Sequence, residues 1–476
     1  MTTPTPIGHR IELPHTGLAR SLSRTHGFEP LRVEGDLPAE LAGTLFRNGP
    51  GVFEGVDGLR HPHLFDGDGA ISAVRFGAGR AEGAVRLVQT AGRGLERDRG
   101  RVCLGNYGTV SPRPMWDFFF GAPKNVANTS LLRRGADLLA LWEGGMPTAL
   151  DPATLTTRGP SDLGGAVRQS FSAHPHRVPA RRCTYNFGLF MGLRPAIDLF
   201  ELPDDGPTRR IGRVPLPHNT LLHDCAVTAR HFVFFVSPLR LHLLDLMRGR
   251  RAYCDALDWV PAQGTRVIVV PIDAPDRIRR FTVEPFFQWH MANAFDDGDA
   301  IVIDLVRYPD FAINRWLQRL YAGLPVGGTE AEFGRARIVG ERFDYTTLLD
   351  RSVEFPVIAP GRAGRRQRYT WIGGHSSRAA SALVPLDVLV RFDHETGDEI
   401  VWDPGPGRFP SEPVFAPRPG APAEDDGWLL TTVYDIGTDR SWVTVLDADD
   451  MQRGPRARVC FDQPLPQTFH GIWWPA

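Results

Sequence analysis

The chain has 476 residues, 42% of them hydrophobic and 23% charged, with a formal net charge of −1. That is globular composition, and so even a charge balance offers no basic face, which sets nucleic acid aside as a partner. The 50 glycines and 41 prolines are spread along the chain rather than pooled, which fits many short strands and tight turns better than disorder.

The first residues, MTTPTPIGHRIELPHTG, carry no apolar stretch of the kind a secretion signal needs. No run of about 18 apolar residues follows, so no spanning helix is expected. Apolar runs rich in β-branched and aromatic residues then recur, each bounded by Gly, Pro, Asp or Asn: ISAVRF (71–76), DLLALWE (137–143), HFVFFV (231–236), TRVIVVPI (265–272), AIVIDLV (300–306), WLLTTVYD (428–435) and SWVTVLDA (441–448). Each reads as a strand. Helical periodicity is rare, with FAINRWLQRLYAGL (311–324) the best candidate and LRLHLLDLMRG (239–249) the second. No internal repeat or linker stands out, so 1–476 reads as a single all-β domain. Many short strands at this length predict a large closed array, most simply a β-propeller.

Five cysteines, Cys103, Cys183, Cys225, Cys254 and Cys460, are odd in number, widely spaced and form no CxxC. A disulfide framework is therefore not expected, and a reducing cytoplasm is. Two stretches, PMWDFFFGAP (114–123) and FFVSPLRLHLLDLMRG (234–249), read as exposed and apolar with Arg or His interspersed. They fit either lid packing or peripheral contact with a bilayer, placing the protein at the inner membrane surface.

Of 15 histidines, four lie beside apolar or aromatic strand-like segments: His174 in SFSAHPHRVP, His223 in TLLHDCAV, His290 in FFQWHMANAFDDGD and His470 in TFHGIWWP. Their spacing is not that of helix-borne zinc ligands. It makes sense if separate blades each deliver one imidazole to a common axis. Four neutral imidazoles without a carboxylate ligand suit a borderline ion such as Fe(II), with open positions for dioxygen. Such rings donate their other N–H, often to a carboxylate. Glu143 in LLALWEGGMP, Glu354 in SVEFPVI and Glu412 in FPSEPVFAP stand in apolar or Pro-flanked settings suited to that task.

Together with GTLFRNGPG (43–51), HLFDGDGAI (63–71) and KNVANTSLL (124–132), these segments resemble the carotenoid cleavage oxygenase family over nearly the whole chain. The resemblance implies a seven-bladed β-propeller with a helical and loop cap over its metal-bearing face. It implies one Fe(II) per chain on His174, His223, His290 and His470, with Glu143, Glu354 and Glu412 behind three of the rings. The expected activity is cleavage of a conjugated double bond of a carotenoid or apocarotenoid by dioxygen, giving carbonyl products. FFQWHMANAFDDGDAIVIDLVRYPDF and HFVFFVSPLRL look most like bacterial apocarotenoid oxygenases that form retinal. Thr129 matches a residue that crowds the open coordination position. Stilbene-cleaving members carry lysine immediately before the first of these glutamates. Here that residue is Trp142, which suits a polyene better than a phenol. A stilbene-cleaving enzyme remains the alternative. A non-catalytic propeller that binds an apolar ligand is more remote.

Overall fold

The run HFVFFV shows how this sequence builds its sheets. In the strand His231–Val236, Phe232, Phe234 and Val236 pack with Tyr185, Phe187 and Ile197, while Val233 and Phe235 pack with Met291, Ala294 and Ile303. Successive side chains of a strand face opposite sides. A strand buried on both faces therefore reads as continuously apolar rather than alternating. Asp68–Gly77 behaves likewise: Ile71 and Ala73 serve one interface, Val74 and Phe76 the other.

Seven such sheets surround one axis in a computed structural model that describes residues 16–116, 123–324 and 326–476. Blade 2 runs outward through Ser130–Arg134, Asp137–Leu141, Thr148–Leu150 and Thr157–Pro160. Blades 3 to 6 have inner strands His176–Val178, Ala226–Val227, Met291–Asp297 and Val353–Val357, each followed by three antiparallel strands in its own sheet. In blade 7, Arg408–Pro410 and Val414–Pro417 share the inner edge of Gly427–Asp435. Each gap between neighbouring blades holds its own apolar layer; Trp371, Leu389 and Trp402 of blade 6, for example, meet Phe415, Leu429 and Trp442 of blade 7.

Both chain ends close the ring. The last strand, His470–Pro475, lies beside Gly43–Val52 in blade 1, with His470 opposite Asn48. The early strand Arg32–Gly35 completes blade 7 against Ala457–Cys460. Closure of this kind protects sheet edges that would otherwise template aggregation.

Segments between blades cover the end of the axis where His223, His290 and His470 lie. They include helices Ala91–Arg99 and Ala312–Tyr321 and an insertion carrying the strand pair Leu239–Leu241 and Leu257–Trp259. Leu320 and Tyr321 tie the second helix to Leu18, Phe53, Leu64 and Phe469.

The helix expected over 311–324 is present as Ala312–Tyr321. The one expected over 239–249 is not a single helix. Leu239 and Leu241 are buried with Arg240 exposed between them, a period-two pattern that makes Leu239–Leu241 a strand, and only Leu243–Met247 is helical. The exposed apolar face expected over 234–249 is also narrower, because Phe234, Phe235 and Val236 are core residues and the first exposed large apolar side chain is Leu244. In 114–123, residues 117–122 lie outside the described ones, while Met115 and Trp116 are exposed. The two segments adjoin, since a methyl group on Gly249 would sit 2.9 Å from Pro114 Cγ. Among the described residues no helix is long and apolar enough to cross a membrane.

Candidate metal centre

One residue of each blade stands at, or within three positions of, the start of its inner strand: Thr129, His174, His223, His290, Glu354, Glu412 and His470. The intervals are 45, 49, 67, 64, 58 and 58 residues, one blade each. Seven turns of the same unit thus deliver seven side chains to one end of the axis. Four of them are imidazoles.

Those four rings converge so that one nitrogen of each lies within 4.8 Å of all the others. His174 Nε2 is 2.9 Å from His223 Nε2, which is 3.3 Å from His290 Nε2. Nitrogens bound at right angles about 2.0–2.1 Å from one ion would stand roughly 3 Å apart. The opposite ring nitrogens fix the orientation. His223 Nδ1 donates to Glu143 Oε2 at 2.6 Å and His470 Nδ1 to Glu412 Oε1 at 2.7 Å. His290 Nδ1 donates to Glu354 Oε2. Each bond places the ring proton on Nδ1 and leaves Nε2 bare for a cation. His174 has no carboxylate partner among the described residues.

The carboxylates are themselves held. Glu354 accepts from Tyr308 Oη at 2.8 Å and from the Phe355 amide at 2.8 Å. Glu412 Oε2 accepts from the buried Arg47 guanidinium at 2.9 Å and from the Gly471 amide at 2.8 Å. Arg47 passes so close that a methyl group on Gly471 would lie 2.5 Å from its Cδ, which explains the glycine after His470. Burial opposes ionisation of Glu354 and Glu412, but His290, and His470 with Arg47, outweigh it and hold both below the usual carboxylate range. Burial also opposes a charge on His290, yet Glu354 beside it keeps that imidazole above the ordinary range. His174 is held well below, first by burial and then by the neighbouring rings.

Counted with the imidazoles neutral, as metal ligands are, three carboxylates and one guanidinium give this buried site a net charge of −2, two positive charges short of balance. A dication restores neutrality, and an all-imidazole donor set suits a borderline ion. The residues therefore fit Fe(II).

Tyr308, Arg47 and Phe355 escaped the sequence reading. Phe355 has φ of 57°, in the left-handed region rare for a bulky residue, and its ring stacks on His290 at 5.1 Å. The irregular pairing of this strand after Glu354 turns the ring toward the metal site.

The same residues line two cavities. An inner one of about 160 Å³ includes Thr129, Trp142, Glu143, Phe355 and three of the histidines. An outer one of about 680 Å³ shares Tyr107, Trp142 and Glu143 with it and extends toward Pro114, Leu246 and Arg251. Thr129, Trp142 and all seven expected metal-site residues thus come together.

A family profile described as retinal pigment epithelial membrane protein matches residues 21–475. The chain is 33% identical over 468 residues to an apocarotenoid-15,15'-oxygenase of Synechocystis, covering 93% of this chain and 92% of that protein. The chain belongs to the RPE65 family of carotenoid cleavage oxygenases. An isoeugenol monooxygenase of Pseudomonas nitroreducens is 29% identical over 94% of each chain. A crystal structure of the cobalt-substituted Synechocystis apocarotenoid oxygenase superposes with a TM-score of 0.88 at 30% identity, covering 98% of this chain and 99% of that one. This family membership accounts for the seven-bladed form and makes the chain an oxygenase.

Proposed function

We propose that this protein holds one Fe(II) on His174, His223, His290 and His470 and uses dioxygen to cleave one conjugated double bond of an apocarotenoid. One alkene carbon pair and one O2 become two carbonyl groups, so the atoms balance without a further co-reactant. The observation that carries this reading is the ring of four imidazoles opening onto an apolar cavity, backed by carboxylates whose charge a dication offsets. The cobalt substitution of the Synechocystis relative and the apocarotenoid-15,15'-oxygenase activity by which the related protein is named support it.

Bound iron supplies the centre at which dioxygen is activated. The chain supplies the rest. Trp142, Trp289, Phe65 and Phe355 give flat apolar walls that orient a planar polyene beside the four rings. Glu143, Glu354 and Glu412 keep the imidazoles in one tautomer. No proton-transferring side chain is needed. Retinal or a related apocarotenal is the expected product class, and Trp142 disfavours a phenolic stilbene.

The adjoining exposed residues Val110, Met115, Trp116 and Leu244 lie by the outer cavity, which Ser111, Pro114 and Leu246 line. They support peripheral attachment at the inner membrane surface, where an apolar substrate would enter from lipid. The five cysteines are all unpaired, which supports a reducing cytoplasm.

Fe(II)-loaded protein incubated with a panel of apocarotenals of different lengths tests the proposal. Aldehyde pairs formed in air, with one length preferred, are expected. Faster turnover of a 4-hydroxystilbene than of every apocarotenal would overturn the substrate class. Vesicle flotation of the wild type and of Trp116→Ser tests the membrane contact, and equal flotation of the two would contradict it.

A further inference from the structure

The inner cavity is apolar along most of its wall, yet one end is not. There Thr329, Ser352 and His375 line it beside Trp316, Pro385 and Leu386. Ser352 lies two residues before Glu354, on the same side of its extended chain and so about 7 Å farther along it. Nothing in the cleavage chemistry uses these three polar side chains.

Their hydrogen bonds run in one direction. His375 is buried, and its Nε2 is 3.2 Å from the Val384 carbonyl, which can only accept. Nε2 therefore carries the proton. Burial holds this imidazole below the ordinary histidine range, so it is neutral and Nδ1 is bare. The Ser352 hydroxyl, 3.1 Å from Nδ1, must donate to it. The bond between Ser352 Oγ and Thr329 Oγ1 is then donated by Thr329. The proton of each hydroxyl is used, and what remains toward the cavity is lone pairs. Trp316 Nε1 is used as well, on the Ser381 carbonyl at 3.1 Å. The indole N–H of Trp289, buried without a partner, sits against the His223 ring with centroids 4.7 Å apart, on the metal side.

We infer that Thr329, backed by Ser352 and His375, is an acceptor-only subsite that selects substrates whose end in the inner cavity carries a hydroxyl group. This deepens the proposed function and rests on it for the identity of the polyene. A terminal alcohol donates to Thr329 Oγ1. A terminal aldehyde or ketone would bring one lone pair against another. Sites built to pair a hydroxyl discriminate strongly because their buried polar groups are otherwise left unmatched. The inner cavity is the smaller of the two, so the hydroxylated end belongs to the shorter fragment, and the longer arm extends past Trp142 into the outer cavity.

The test uses all-trans-retinol and all-trans-retinal as a matched donor and acceptor pair. Trp142, Trp289 and Trp316 line the cavity, so quenching of tryptophan fluorescence under nitrogen reports binding without turnover. The metal-loaded wild type is expected to bind the alcohol roughly fivefold to tenfold more tightly, a net hydrogen bond's worth. Thr329→Val should remove that preference and leave aldehyde binding within about twofold, while Thr329→Ser should keep it. Ser352→Ala frees the Thr329 proton to donate, so this variant should gain affinity for the aldehyde. A merely structural role would weaken both ligands together. Equal binding by the wild type, or a preference that survives both Thr329→Val and Ser352→Ala, would overturn the inference. A parallel assay in air with a matched apocarotenol and apocarotenal separates the two proposals: alcohol-selective binding without cleavage of either would sink the proposed reaction and leave this subsite standing.

Discussion

Two neighbouring imidazoles of the site, His470 and His174, are held in different ways. His470 is anchored through Glu412, which in turn is fixed by Arg47 and the Gly471 amide, all inside the blade closure. His174, next to it with ring centroids 4.7 Å apart, has no carboxylate partner among the described residues and is held by its backbone, whose amide donates to Ser172 Oγ at 3.1 Å. His470 is braced by charge, as His223 and His290 are through Glu143 and Glu354, and His174 by strand position alone. The contrast teaches that bracing runs deepest where the chain ends meet, because of the three glutamates it is Glu412 that a buried guanidinium fixes in turn.

Removing the closing strand that carries His470 should have the largest effect. A chain ending at Phe469 loses His470 and the inner strand of blade 1; it should fail to give soluble, cooperatively unfolding protein, as urea denaturation would show. Glu412→Ala comes next. It strands the buried Arg47 cation and should cost about 3–5 kcal/mol, read as a lowered urea midpoint together with lost metal. Glu354→Gln keeps shape and the Tyr308 contact but weakens the hold on His290; metal affinity should fall about 10–100-fold with the fold intact. Glu143→Gln should be mildest, below about tenfold, because its side chain is 23% exposed and water can substitute. If Glu143→Gln proved worse than Glu412→Ala, bracing would not run deepest at the chain closure.

Much of this was legible in the sequence, though unevenly. Strand runs such as TRVIVVPI and AIVIDLV were clear because bulky β-branched residues between turn residues have few other uses. HFVFFV was legible as a strand but not as core from Phe234 onward, since a run buried on both faces looks like an exposed apolar patch. The histidine spacing looked irregular because the interval from His290 to His470 hides two blades. Counting Glu354 and Glu412 as equivalent positions restores the one-blade step. The resemblance to a known family, rather than that spacing, identified all seven residues. Arg47 lies 365 residues before its partner Glu412, and only closure of the ring joins them. Tyr308 and the left-handed Phe355 were hidden for the same reason: their roles arise from tertiary placement, which no local pattern encodes.

The central claim is that four imidazoles hold one iron that directs dioxygen to a polyene. The most direct measurement pairs metal content with product analysis, incubating the loaded and metal-stripped protein with an apocarotenal in air and under nitrogen. One iron per chain is predicted, with two carbonyl products from the loaded protein in air only. Products under nitrogen, or equal turnover by the metal-stripped protein, would contradict the account.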